Sequence, residues 1–348
     1  MLTDDKNIDY NQFIFETKEY VSVEIPWITW NALHLENKNQ RHERLAYEIN
    51  AVKLGQRTLV LNCSNEVWSI GALLKKFLPY IRFPKNQIKL VFGTTLIDPV
   101  FKNYMCEVTH TGAADWLGFY TKLRKQGIAW KNVEINSHLI ALCRRPNSLR
   151  ADIIKSLLDL YGEKVKVSFH TIDASQQEIE DYQKMFYPKS IPIELDDMSS
   201  HTSVIQLSNT SSVMYKSLIH LVLETEPPDN WYGILLTEKS FKPFAYHQLP
   251  LFLAPAGQIK KLRDLGFDMF DDIFDGHPYD TETYYNLYKL KLLKVLKKFM
   301  DSYPTVDHVR SLRGSLFPRL EYNNNLLESI IIKNPPYLKH HYFSRDPL

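Results

Sequence analysis

The sequence predicts an α/β protein whose parallel sheets are divided over two domains. Short apolar runs alternate with amphipathic stretches through most of the chain, the pattern of βα units built around parallel sheets. The length of 348 residues exceeds what one hydrophobic core organises. Two domains of roughly 150 residues each, with a cleft between them, are therefore expected.

In the first half, strands are expected at RTLVLNC (57–63), QIKLVFG (87–93) and HLIALC (138–143), each an apolar run of strand length. Helices are expected near 39–54, near 66–80 with Trp68, Leu73, Leu74 and Leu78, and near 114–126. The stretch VSVEIPWITW (21–30) predicts an edge strand, because Pro26 has no amide to give to a central ladder.

In the second half, KVKVSF (164–169), SLIHLVLE (217–224), YGILLT (232–237) and LPLFLA (249–254) read as strands, YGILLT being equally able to begin a helix. Helices are expected over SQQEIEDYQKMF (175–186) and, after the turn at Pro255 and Gly257, over GQIKKLRDL (257–265). Beyond residue 280 the chain reads as helical and aromatic, in ETYYNLYKLKLLKVLKKFMDSY (282–303) and in a segment near 305–331. The expected division is residues 1–135, residues 136–300, and a C-terminal helix and tail at 301–348.

A formal charge of +2 argues against a protein that coats nucleic acid electrostatically. The local basic cluster of Lys75, Lys76, Arg82 and Lys85 reads as a solvated helix face. Three widely spaced cysteines, Cys63, Cys106 and Cys143, have the odd number and apolar settings of buried reduced thiols, which predicts a reducing compartment. MLTDDKNIDY lacks a basic region followed by an apolar run, and no window reaches the ~18 apolar residues of a membrane span. A cytoplasmic protein without a membrane span is expected.

Two stretches carry candidate chemistry. In ALCRRPNSLR (141–150), Arg144, Arg145 and Arg150 surround a turn at a strand's carboxyl end, where Asn147 or Ser148 can cap the next helix. Arginines so placed suit a bidentate clamp on phosphate oxygens. The competing account is a surface turn whose arginines pair with Asp152 or Asp159. In LLTEKSFKPF (235–244), Thr237, Glu238 and Lys239 stand where an apolar run meets a helical one. A helix start presents N–H groups and partial positive charge, so Lys239 suits a diphosphate and Glu238 the hydroxyls of a ribose. An exposed ion pair is the simpler reading of the same residues. Glu224, at the end of an apolar strand, faces the same edge. Zinc-type His/Cys spacing, a strict Asp-x-Asp, a Walker sequence and Gly-x-Gly-x-x-Gly are all absent, so no metal site is expected.

The order CRRPNSLR, HLVLE, LLTEKSFKPFAYHQLPLFLAPAG and LRDLGFDMFDDIFDGHPYD, over residues 136–282, resembles the bacterial α-1,3-fucosyltransferase family. It is still more similar to the divergent glycosyltransferase-like proteins of phages and marine bacteria. The resemblance implies the GT-B architecture: two Rossmann-like domains facing a central cleft, an N-terminal acceptor domain and a C-terminal nucleotide-sugar domain, with C-terminal helices. It implies an inverting, metal-independent transfer from a nucleotide sugar, of GDP or UDP type, to the hydroxyl of a glycan. Arg144 or Arg145 and Lys239 would hold the diphosphate, Glu238 the ribose, and Glu224 the sugar side. The family's Glu-Asn-Ser is here Glu224, Thr225 and Glu226, and Leu235 stands where the family has an aromatic residue, so neither base nor sugar carries over.

The acceptor-activating base is expected to be a carboxylate of the N-terminal domain. Asp98 and Asp115 rank together, ahead of Glu66 and His110. Two alternatives stand beside this expectation: a phage-type enzyme acting on a DNA base, and a non-catalytic binding protein that keeps the fold.

Overall fold

The protein is described by a computed structural model. It describes residues 14–16, 18–24, 47, 49–52, 55–63, 81–82, 84–92, 107–110, 133–171, 174–193, 195, 214–224, 228, 234 and 236–333. Contacts divide the chain into one unit of residues 1–118, 232–237 and 333–348, and a second of 119–231 and 238–332. Both described sheets are largely parallel, in keeping with the predicted α/β class.

The sheet of the first unit runs β1 (Ile14–Glu16), β2 (Tyr20–Glu24), β3 (Thr58–Cys63), β4 (Ile88–Phe92), β5 (Glu107–His110), in that spatial order. Only β1 is antiparallel to its neighbour. Paired residues share a face, so Val21, Leu59 and Ile88 form one apolar row, and Val23, Leu61 and Leu90 the next. All six are buried. Arg57 at the entrance to β3 donates to the Glu16 carboxylate over 2.8 Å and fastens the end of β1.

In the second unit the sheet contains β6 (Ser137–Cys143), β7 (Val165–Phe169), β8 (Ser217–Leu223) and β9 (Leu249–Leu253), in spatial order β7-β6-β8-β9 and wholly parallel. Every residue of β8 and β9 is buried, which is why these strands read as unbroken apolar runs. Across the sheet, Val165, Leu139, Ile219 and Leu249 form one row, and Val167, Ala141, Leu221 and Leu251 the next. Around the sheet lie α1 (Ser148–Tyr161), α2 (Gln176–Phe186), α3 (Glu238–Ala245), α4 (Gln258–Asp264), α5 (Tyr285–Ser302), α6 (Val306–Ser315) and α7 (Phe317–Lys333). α2 starts with a capping box between Ser175 and Glu178. α5 buries Tyr288, Leu292, Val295, Leu296, Phe299 and Met300, a stripe at helical spacing, and Tyr288 donates to the Phe252 carbonyl of β9 over 2.8 Å.

Several expectations need correction. At its described residues, 21–24, VSVEIPWITW is not an edge strand: β2 lies inside the sheet, between β1 and β3, and Pro26 lies outside the described residues. YGILLT is not a strand at its described residues 234, 236 and 237. β9 pairs directly on β8, leaving no ladder position between them. The segment near 305–331 is two helices, broken at Leu316, with Pro318 in the second position of α7, where a missing amide costs nothing. Helix is present at residues 47 and 49–51, while the expected helices at 66–80 and 114–126 lie outside the described residues.

Of the five histidines buried among the described residues of the second unit, three have depressed pKa values. Burial pushes the pKa of His220 down to about 3 and that of His277 to about 4, and lowers that of His138. Each is neutral in the folded chain and titrates near 6.5 once unfolded. The unfolded chain therefore binds more protons below that value. This share of stability is complete above pH 6.5 and is lost as pH falls toward about 4 and then about 3. Urea midpoints measured from neutral pH downward are expected to begin falling near pH 6.5, with net proton uptake on unfolding.

Candidate functional site

The strand order of the second unit fixes where a ligand fits. From β6 the chain crosses through α1 to β7 on one side, and from β7 it returns to β8 on the other. The carboxyl ends of β6 and β8 thus flank a topological switch point, the place where open α/β sheets leave a crevice. In the first unit the described strands follow in sequential order and offer no such reversal. The residues delivered to the crevice are Arg144 and Arg145 after β6, Glu224 after β8, Lys239 and Ser240 at the start of α3, and Gln258 at the start of α4.

The arginine turn is built by its own cap and by one buried guanidinium. Asn147, the N-cap of α1, accepts from the Arg150 amide over 2.9 Å. The Arg150 side chain turns inward, 7 % exposed, and donates Nε and Nη2 to the Glu224 carbonyl over 3.1 and 2.5 Å. Its Nη1 reaches the Arg145 carbonyl over 2.6 Å. One residue thus ties the loop after β6 to the loop after β8. Arg144 is left half-buried and Arg145 exposed. Of the two carboxylates near the turn, Asp152 takes Lys289 and Tyr285, and Asp159 takes Lys155.

Glu224 is the hub of the opposite wall. Its amide continues the ladder to the Leu253 carbonyl, and its carboxylate is almost wholly buried. Oε1 accepts from Ser240 over 2.5 Å and from Gln258 over 3.4 Å, while Gln258 also donates to Ser240 over 2.9 Å. Lys239 Nζ lies 3.9 Å from Oε2 with its side chain 31 % exposed. Lys239 is the second residue of α3, so its ammonium sits at the positive end of the helix dipole, where a cation is disfavoured unless an anion joins it. At the foot of the same crevice, burial raises the Cys143 thiol to about 11, and the charges of Arg150 and Lys239 only partly oppose this. Desolvation outweighs both cations, so this thiol is inert at neutral pH.

Of the other sequence candidates, Asp98, Asp115 and Glu66 lie outside the described residues, and His110 closes β5. Thr237 is buried and belongs to the first unit. Glu238 opens α3, with its side chain outside the described residues. Ser240 and Gln258 were not singled out by the sequence. No spacing pattern marks them, because only the strand order brings them beside Glu224.

The acidic stretch from Asp264 to Asp280 is spent on structure. Arg319 binds Asp268 and Asp272 bidentately, at 2.6 to 2.9 Å, and lies 4.7 Å above the Phe270 ring. Asp271 holds Arg263, and Asp275 holds Lys298. Asp280 accepts the amides of Ile259 and Lys260 over 2.9 Å each and so occupies the N-terminus of α4. Burial raises the Asp280 pKa in spite of those amides.

Among the described residues, no group of three or more His, Cys, Asp or Glu is placed to hold a metal ion, and no helix is long and apolar enough to cross a membrane. No family model, no curated protein and no solved structure matches the chain.

The two kinds of arginine separate by mutation. Arg150→Ala strands the Glu224 carbonyl in the interior and is expected to lower unfolding free energy by about 2–3 kcal/mol in urea denaturation. Arg145→Ala, at the exposed position, is expected to stay within about 0.5 kcal/mol of the parent.

Proposed function

We propose that the second unit binds a nucleoside diphosphate-sugar at the switch-point crevice, and that the chain is an inverting glycosyltransferase of GT-B architecture acting on a hydroxyl acceptor. The observation that carries this reading is the Lys239 ammonium in the first turn of α3, 3.9 Å from Glu224, whose carbonyl Arg150 ties to the arginine turn after β6. Cationic side chains meeting at a helix start suit a diphosphate, which arginine and lysine bind through charged hydrogen bonds. Arg144, Arg145 and Lys239 hold the two phosphates, and Glu238 takes the ribose hydroxyls. As the bond from the anomeric carbon to the diphosphate breaks, the same cations stabilise the charge developing on the leaving group. The acceptor hydroxyl loses its proton to a carboxylate of the first unit, Asp98 or Asp115.

Glu224 favours a second reading, in which the crevice binds a nucleotide without turnover. Its carboxylate is engaged by Ser240, Gln258 and Lys239, which suits a structural hub as well as a group facing the sugar.

Nucleoside diphosphate release from a panel of nucleotide sugars, with and without acceptor hydroxyls, distinguishes the two readings. Release that depends on acceptor supports transfer, and binding with no release supports the second reading. In either case Lys239→Ala is expected to weaken nucleoside diphosphate binding by about 1.5–3 kcal/mol, the scale of a charged hydrogen bond. Unchanged affinity in the folded variant removes Lys239 from the site.

A further inference from the structure

α3 carries Lys239 in its first turn, yet its own ladder holds it poorly. The helix is eight residues long, and Pro243 inside it has no amide to return to the Lys239 carbonyl. Ser240 fastens its amino end at the Glu224 carboxylate. A helix fastened at one end can still swing about that end, so the direction of its axis depends on what holds the other.

The carboxyl end closes as a Schellman turn, in which the Gln248 amide donates to the Pro243 carbonyl over 2.8 Å and the His247 amide to the Phe244 carbonyl over 3.4 Å. The left-handed position of that turn, which glycine usually fills, is taken by His247 at φ 54°. Two residues one turn apart on α7 grip this end. Asn324, wholly buried, donates Nδ2 to the Phe244 and Ala245 carbonyls over 3.0 and 3.3 Å. Glu321 Oε2 lies 3.1 Å from His247 Nε2. Asn324 Oδ1 is buried with no hydrogen-bond partner among the described residues, a cost that an apolar side chain would avoid. What asparagine contributes there is its hold on α3.

We propose that Asn324 is a positioning residue for the crevice: from behind α3 it sets the helix axis, and with it the direction in which Lys239 and the first-turn amides meet a diphosphate. The inference rests on the reading of the crevice as a nucleoside diphosphate site. Asn324 acts at the carboxyl end of α3 and touches no phosphate itself. A binding group misplaced by about 1 Å loses much of its effect, so a change at the back of the helix is felt at its front. α7 also supplies the control. Asn323 is likewise buried and bonded to backbone, accepting from the Asp268 amide over 2.8 Å and donating to the Asp268 carbonyl over 2.7 Å, bonds that do not reach α3.

Calorimetric titration of the full chain with GDP, UDP, CDP and ADP, beside urea denaturation, tests it. Asn324→Ala and Asn323→Ala are each expected to lower stability, and Asn324→Ala alone to weaken the nucleotide that the unaltered chain binds, at least about fivefold. Asn324→Ala leaves carbonyls bare in the interior, so a milder variant accompanies it. Glu321→Ala, at a half-buried position, loosens the same end of α3 and is expected to weaken binding at least about twofold. Unchanged affinity in folded Asn324→Ala, equal losses in the two asparagine variants, or, should Asn324→Ala not fold, unchanged affinity in Glu321→Ala would each overturn the proposal and leave the nucleotide reading standing. No binding of any of the four nucleotides by the unaltered chain would overturn both.

Discussion

The buried guanidinium of Arg150 is the interaction on which the candidate site depends. It spans from the Arg145 carbonyl to the Glu224 carbonyl and so fixes the distance between two loops that the sequence separates by more than seventy residues. A charge buried to this extent is tolerated only when its donors are met, and here backbone carbonyls meet Nε and both terminal nitrogens. With that span fixed, the crevice at the switch point has two defined walls. One carries Arg144 and Arg145, the other Glu224 with the first turn of α3.

The second wall is organised by competition for one carboxylate. Ser240 and Gln258 satisfy one oxygen of Glu224, and Lys239 stands off the other at 3.9 Å, a separation longer than a hydrogen bond. Lys239 is thus held near Glu224 without being consumed by it, and remains partly exposed at the positive end of a helix. The electrostatics of such a position favour an incoming polyanion. The neighbouring helix start, that of α4, is already occupied by Asp280, so the proposed anion is assigned to α3 and the arginine turn.

How much of this was legible in the sequence follows from the physics of each part. The strands β6, β7, β8 and β9 were visible because burial on both faces makes continuous apolar runs with few polar interruptions. β1 was not visible, since three residues are too few to show a period. The break between α6 and α7 was hidden because Pro318 begins a helix there and does not end one. Within the site, local pattern placed a cap at Asn147 or Ser148, of which Asn147 is the one that forms, and Lys239 at a helix start. Arg150 looked like its two neighbours in the turn, and only its place inside α1 turns it into the interior. Ser240 and Gln258 depend wholly on the order in which the strands assemble, which no local pattern encodes.

The central claim is that a diphosphate is gripped by the arginine turn and the first turn of α3. Hydrogen–deuterium exchange of the full chain, with and without the nucleoside diphosphate that most raises its melting temperature, tests this directly. The account predicts slowed exchange at the amides of residues 144–150 and 238–245, lost in Lys239→Ala. Saturable binding with protection confined to other parts of the chain would contradict it.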